Sequence, residues 1–428
     1  MDYKETLDYL YTRLPMFQRQ GAPAYKPGLD TTKALDKAFG HPHRNYPCIH
    51  VGGTNGKGST AHTIASVLQS QGYRTGLYTS PHLVDFRERM RVDGRMIDRE
   101  AVVDFVSRYR AMAMDVAPSF FELTMMMAFE FFAEEKVDIA VIEVGLGGLL
   151  DSTNIITPML SVITNISLDH TAFLGHTRRE IAEQKAGIIK PGVPVVIGEA
   201  DDEIRPVFEK AAVEAGAPIR FADEERPYAV AVPIEGFGGF RYEGTCFGDI
   251  TGELAGDCQP RNMATVLTAL DELRKLGFRI DNSSVAKGVG SVTSSTGLSG
   301  RWMVVNREPL TVCDTGHNTG GWEYISRRLS DFKGSLHMVI GFVNDKDVAS
   351  ILAMMPRGAC YYFTQASVPR AMDAAQVMDE ARKAGLDGVS FETVEEAYNA
   401  AVAAALPEDM IFVGGSTFVV ADFLARCK

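Results

Sequence analysis

A chain of 428 residues, 46% apolar and 23% charged, has the composition of an ordinary globular protein with a sizeable core and room for two or three domains. Its formal net charge of −12, from 43 basic against 55 acidic residues, repels polyanions and excludes nucleic acid as the main partner, although a local group of cations can still hold small anions. Six cysteines (Cys48, Cys246, Cys258, Cys313, Cys360 and Cys427) lie scattered without a C-x-x-C pair. That usage points to reduced thiols in the cytoplasm, with no disulfide frame or zinc site. MDYKETLDYLYTRLP at the start has no leader-like apolar run, and no stretch approaches the ~18 apolar residues of a membrane span.

Short β-branched runs alternate with helical patterns along the chain. Strands are predicted at Tyr46–Val51, Thr75–Thr79, Val137–Val144, Leu160–Ile166 and Pro194–Ile197, with helices such as Ser59–Gln71 and Phe120–Glu135 between them. These strands are apolar almost throughout, as strands covered on both faces are. The Gly- and aromatic-rich stretch Pro227–Ile250 reads instead as antiparallel hairpins, followed by a helix over Arg261–Leu276. Gly290–Gly300 (GSVTSSTGLSG) has the composition of a linker. Strands at Leu310–Asp314, His337–Phe342, Tyr361–Thr364 and Met410–Gly414 then begin a second α/β pattern. The expected fold is α/β: a first unit, residues 1–296, with a mostly parallel sheet plus a small antiparallel one, and a Rossmann-like second unit, residues 297–428.

Four polar features follow directly on apolar strands. The first is the glycine-rich run Gly52-Gly53-Thr54-Asn55-Gly56-Lys57-Gly58-Ser59-Thr60, between a strand and a helix. Such a loop wraps a phosphate chain with backbone N–H groups, and Lys57 adds charge; its spacing departs from G-x-x-x-x-G-K-[ST], and a plain Gly-rich turn is the other reading. Ser80, Glu143 and His170 are the remaining three. In an open parallel sheet, ligands sit beyond the carboxyl ends of the strands, so all four should face one crevice. A carboxylate within VDIAVIEVGLGG needs a cation or donor to compensate its burial. Glu143 is therefore either a Mg²⁺ ligand or the partner of an arginine or of backbone N–H groups. His170 is a loop histidine or a ligand beside the metal. Lys185, in RREIAEQKAGII, reads on helix position alone as a solvated lysine beside Glu180 or Glu183, although a desolvated lysine would have a lowered pKa and nucleophilic character.

The ordered segments VGGTNGKGST, TSPHLVDFRERM, SFFELTMMMAF, VIEVGLGGLLDSTN, SVITNISLDHTAFLG and IAEQKAGIIKPGVPVV, then GRW, DTGHN, NDKD and GGST, resemble those of folylpolyglutamate synthases and dihydrofolate synthases of the Mur ligase superfamily. The resemblance implies a P-loop ATPase domain followed by a Rossmann-like domain. It implies Gly53, Thr54, Asn55, Gly56, Lys57, Gly58, Ser59 and Thr60 as the ATP phosphate loop, and Asn262, Arg301, Asp314 and His317 as further nucleotide contacts. Ser80, Glu143 and His170 become Mg²⁺ ligands over two sites, and Lys185 resembles a lysine that is carbamylated into a metal ligand. Lys57, Lys185 and His170 would form the catalytic set. Phe120, Phe121 and the loop from His82 to Arg91 would neighbour the aromatic substrate, with Lys346 and Ser416 near glutamate. Two departures stand out: Leu149 where Arg is usual, and Thr319 where Pro is common.

What the resemblance implies in chemistry is an acyl phosphate made from ATP and a substrate carboxylate, which the amine of L-glutamate then displaces. The acceptor would be dihydropteroate or a reduced folate, and the protein a monomer. Closure of the second unit about a hinge at residues 290–300 would shield the acyl phosphate from water. Two rival readings are a peptidoglycan-precursor ligase, against which stand the GKGS loop and the mere ~50 residues before it, and a nucleotide-binding regulator without ligase activity.

Overall fold

A computed structural model describes residues 1–16, 28–236, 238–344 and 346–426. Three sheets organise the chain. The first has eight strands: β1 (Cys48–Gly52), β2 (Thr75–Tyr78), β3 (Met90–Val92), β4 (Arg95–Met96), β5 (Ile139–Glu143), β6 (Leu160–Ile163), β7 (Val195–Ile197) and β8 (Ile219–Phe221). Their order is β4-β3-β2-β5-β1-β6-β7-β8, parallel except where β3 pairs with β2 and with β4. The buried runs CIHVG and IAVIE lie side by side at its centre, Val51 in register with Glu143. Helices Lys57–Gln71 and Gln259–Lys275 cover one face with Ile64, Leu68, Val266 and Leu270. Helix Phe120–Glu134 covers the other with Leu123, Met126 and Phe129. Two-sided cover explains the apolar strands.

The hairpin reading of Pro227–Ile250 holds as a three-stranded antiparallel sheet, β9 (Val230–Pro233), β10 (Phe240–Glu243) and β11 (Ile250–Gly252), in the order β11-β10-β9. Six strands form the third sheet: β12 (Met303–Arg307), β13 (Leu310–Cys313), β14 (Leu336–Ile340), β15 (Cys360–Phe363), β16 (Gly388–Ser390) and β17 (Met410–Gly414). Its order is β12-β13-β17-β14-β15-β16, antiparallel only at β12.

The linker reading of Gly290–Gly300 is corrected in its first half. Val292–Thr296 is helical, and hydrogen bonds fasten this region to helix Lys57–Gln71: Ser66 Oγ to Gly288 O at 2.6 Å and to Ser295 Oγ at 2.7 Å, and His62 Nδ1 with Thr296 Oγ1 at 2.7 Å. Serine and threonine content suggested a flexible segment, but here the hydroxyls find specific partners on a neighbouring helix. Left-handed glycines follow at Gly297 (φ 72°) and Gly300 (φ 69°). Five cysteines are free thiols; Cys427 lies outside the described residues. Among those residues no helix is long and apolar enough to cross a membrane.

Candidate active site

The carboxyl ends of β1, β2, β5 and β6 open into one cavity of about 920 Å³, which the second unit closes from the opposite side. Gly53 to Ser59, Ser80, Glu143, His170 and Lys185 line it from the first unit, together with Phe120, Phe121 and Asn262; Arg301, Asp314, His317, Lys346 and Ser416 line it from the second. The expected common crevice is therefore present. Thr60 and His82 are not on its wall. Thr60 faces inward from the first helical turn, fully buried, because successive helix positions point about 100° apart. The ring of His82 turns to Arg89 Nε, which donates to its Nδ1 at 2.7 Å.

The glycine run turns from β1 into helix Lys57–Gln71, with Gly56 in the left-handed region at φ 80°. A side chain there would be strained, and a Cβ would lie 2.2 Å from Asn262 Oδ1. The loop after β6 braces the turn: Thr54 N–H donates to Asn165 O at 2.8 Å, and Thr164 Oγ1 donates to Asn55 O at 2.6 Å. Lys57 Nζ donates to Gly53 O and Thr54 O at 3.0 and 2.9 Å. Its pKa is lowered, chiefly by burial, while Glu143 and Asp169 pull it back.

Glu143 ends β5, 4% exposed. Its Oε2 accepts the Ser80 N–H at 3.0 Å. Burial raises this carboxyl, against Lys57, the Ser80 N–H and Arg301. A Cβ added at Gly58 would come within 3.9 Å of Glu143 Oε1 and 3.5 Å of Arg301 Nη2, so carboxylate, guanidinium and helix N-terminus converge at that glycine. A hard oxygen held beside phosphate-loop donors suits Mg²⁺.

Lys185 is not the solvated lysine that helix position suggested. It is 4% exposed, and its Nζ donates to Gly53 O at 2.8 Å. Burial, reinforced by the charge of Lys57, brings its pKa down to about 7. The acids expected beside it are engaged elsewhere: Glu183 pairs with Arg179, and Glu180 caps the helix at Thr177. Close packing of helix Arg178–Ala186 on the loop after β5 decides this, since Gly148 of that loop sits so close to Lys185 Cα that a Cβ would meet it at 3.0 Å.

Asp169, which sequence reasoning passed over, is the centre of the contact between the two units. Its Oδ1 accepts Lys346 Nζ at 2.5 Å, its Oδ2 accepts Asn318 Nδ2 at 3.0 Å, and His317 Nε2 and His170 Nε2 lie 3.4 and 3.8 Å from Oδ2. Burial alone would raise this carboxyl; the His317 contact and the charges of His170, His317 and Lys346 hold it well below the usual carboxylate range. Asn55 and Asn318 exchange amide hydrogen bonds of 3.1 and 3.0 Å, which ties the phosphate loop directly to the second unit. Thr319 simply opens helix Thr319–Ser330, capped by Asn318.

Asp314 is committed to its own loop, accepting Trp302 N–H and Gly316 N–H at 2.7 Å each; Arg301 donates to Gly300 O at 3.1 Å and to Thr315 Oγ1. Ser416 Oγ accepts Val419 N–H at 3.1 Å, serving helix Thr417–Arg426. Leu149 is exposed, and its N–H donates to Gln184 O at 2.7 Å, on the helix that carries Lys185. At the far end of the cavity Phe120 stacks on Tyr11 (5.7 Å between centroids), and the buried Arg89 guanidinium stands 5.1 Å over the Phe120 ring. Arg89 lies within the loop from His82 to Arg91 expected beside the aromatic substrate, but its burial was not legible, since an arginine in RERMR has no local mark of it.

A phosphate loop, a buried carboxylate and a second α/β unit closing over both define a Mur-type ligase. Residues 51–232 match the Mur ligase middle domain, and residues 300–417 match the Mur ligase glutamate ligase domain. The chain is 33% identical, over 87% of its length and 85% of the relative's, to the dihydrofolate synthase/folylpolyglutamate synthase of Escherichia coli. It is 32% identical, over 99% of its length, to a Haloferax volcanii protein named "probable bifunctional folylpolyglutamate synthase/dihydropteroate synthase", of which it spans 50%. A bifunctional folylpolyglutamate synthase/dihydrofolate synthase with Mn, AMPPNP and L-glutamate bound superposes with TM-score 0.81 at 29% identity, covering 100% of this chain and 98% of that one. The chain belongs to the dihydrofolate synthase/folylpolyglutamate synthase family, and it is an ATP-dependent ligase that forms an amide bond.

Proposed function

We propose that this chain joins L-glutamate to the carboxylate of dihydropteroate, of a reduced folate, or of both, through an acyl phosphate. The observation that carries the reading is the convergence of Lys57, Glu143, Lys185 and Arg301 on one cavity whose far end is lined by Phe120, Phe121 and Arg89. The phosphate-loop N–H groups, Lys57 and Arg301 hold the nucleotide phosphates and the charge that develops on the transferred phosphoryl group; Asn262 faces the nucleotide from behind Gly56. Bound Mg²⁺ would screen the phosphate charges. Glu143 with Ser80 supplies oxygen donors for a first ion, and Glu143 with His170 the donors for a second. Lys185, half neutral near pH 7, has the lone pair to attack CO₂; a proton leaves as the N–C bond forms, and the resulting carbamate is an anionic metal ligand.

Phe120 and Phe121 offer flat apolar surface to the aromatic acid, and Arg89 a fixed cation beside it. Lys346 and Ser416 serve the glutamate end. The unit boundary falls at 296/297, since the fastening of Val292–Thr296 to the first unit leaves Gly297–Gly300 as the pivot for closure. The protein acts as a cytoplasmic monomer. The test is phosphate release with ATP and glutamate plus each acceptor in turn. Turnover with dihydropteroate, a folate or both supports the reading and assigns the acceptor; turnover with neither, in protein that binds ATP, overturns it.

A further inference from the structure

Where the two units meet, His317 has an unusual setting. Its Nδ1 lies 3.0 Å from the carbonyl oxygen of Thr315. A carbonyl can only accept, so Nδ1 carries the ring hydrogen, and in the neutral ring Nε2 carries the lone pair. That lone pair faces Asp169 Oδ2 at 3.4 Å. A lone pair against a carboxylate is stable only when a cation stands between them, either a second proton on the ring or a metal ion. An imidazole whose Nδ1–H is anchored on a backbone carbonyl is the usual arrangement behind a metal-bound Nε2. The same carboxylate is steadied from outside by Lys346 on Oδ1 and Asn318 on Oδ2, as ligating carboxylates commonly are. His170 adds its Nε2 at 3.8 Å from Oδ2, from a left-handed backbone position at φ 50° that sets the direction of its side chain.

We propose that Asp169, His170 and His317 form a site for a divalent transition-metal ion, a two-histidine, one-carboxylate set that bridges the two units of the chain. Bonds of about 2.0–2.2 Å in a tetrahedral site place neighbouring ligand atoms about 3.3 Å apart. Here two of the separations are 3.4 and 3.8 Å, and all three ligand atoms lie within 4.8 Å of one another. Side-chain rotations that move an atom by about 1.5 Å or less complete the geometry. Two imidazole nitrogens select zinc, cobalt, nickel or copper over Mg²⁺, which prefers oxygen. The set is distinct from the Ser80 and Glu143 oxygens assigned to Mg²⁺. It takes His170 away from the second Mg²⁺, because a neutral imidazole ligates one ion at a time, so it is a site of the nucleotide-free chain. It rests on local geometry, independent of the ligase reading.

The test uses the full chain, stripped with chelator, without nucleotide, titrated with Co²⁺ and followed by its ligand-field absorption. One Co²⁺ per chain is expected. His317→Ala and Asp169→Asn should each weaken binding by at least about tenfold, as should Lys346→Met, which removes the outer partner of Asp169 and loosens the contact between the units. Glu143→Gln should bind as the parent does. Unchanged binding in His317→Ala, or its loss in Glu143→Gln, overturns the proposal, because the ion then sits with the magnesium donors. A readout that needs no variant is pulsed electron paramagnetic resonance of the Cu²⁺-loaded parent: two coordinated imidazoles support the site, and one or none refutes it. Magnesium-dependent phosphate release by the same preparations reports on the ligase reading separately.

Discussion

Lys185→Met tests the central electrostatic claim. The side chain is buried, and its pKa falls from 10.5 to about 7, which corresponds to about 5 kcal/mol of disfavoured charge when the ammonium is forced to persist. An unfolded lysine keeps its proton up to about 10.5 and the folded one loses it above about 7, so between those values the unfolded state binds more protons. Stability of the parent therefore rises with pH across that window, with the full penalty present below about pH 7. By linkage the penalty is about 5 kcal/mol at pH 6 and about 2 kcal/mol at pH 9. Methionine has a similar shape and no charge; the lost bond to Gly53 O removes a constant of about 1 kcal/mol. The advantage of the variant over the parent should thus shrink by about 3 kcal/mol between pH 6 and pH 9. At about 2 °C per kcal/mol this is a convergence of about 6 °C in the midpoint of first-unit unfolding, measured by circular dichroism in CO₂-free buffer. A difference in midpoint that does not change with pH would refute the desolvated-lysine argument. Ligase activity of the variant should be lost at every pH.

Gly56→Ala should lower ATP affinity by at least about tenfold, since the left-handed backbone alone disfavours alanine by about 1–2 kcal/mol and the Cβ meets Asn262 Oδ1; calorimetry with ATP checks it. Glu143→Gln should leave the fold intact and cut phosphate release by about a hundredfold, the scale of removing one group that stabilises transition-state charge; excess Mg²⁺ should not restore it. Lys346→Met breaks a pair whose side chains are 7% and 9% exposed. Leaving the Asp169 carboxylate unpaired should weaken the contact between the units by about 3 kcal/mol and enlarge the radius of gyration in small-angle scattering. An unchanged profile would show that Asn55 and Asn318 suffice to hold the units together.

Sequence by itself determined the alternation of strand and helix, the small antiparallel sheet and the row of polar groups at strand ends, because all three depend on local patterns: apolar runs of strand length, glycine at turns, and charge just beyond a buried segment. It also pointed to Lys57, Glu143 and His170 as members of one crevice, since parallel strands share a direction and so deliver their ends to one edge. It did not supply β3 and β4, which are too short to leave a pattern, nor the helix at Val292–Thr296, whose hydroxyl-rich composition is indifferent to helix or coil. Tertiary structure alone decided the burial of Lys185 and Arg89 and the central place of Asp169. Each of these depends on what a distant part of the chain brings opposite the side chain: Gly53 across 132 positions for Lys185, and Lys346 across 177 for Asp169. Desolvation and ion pairing are properties of a residue's surroundings, and local sequence does not encode surroundings assembled from the far ends of the chain.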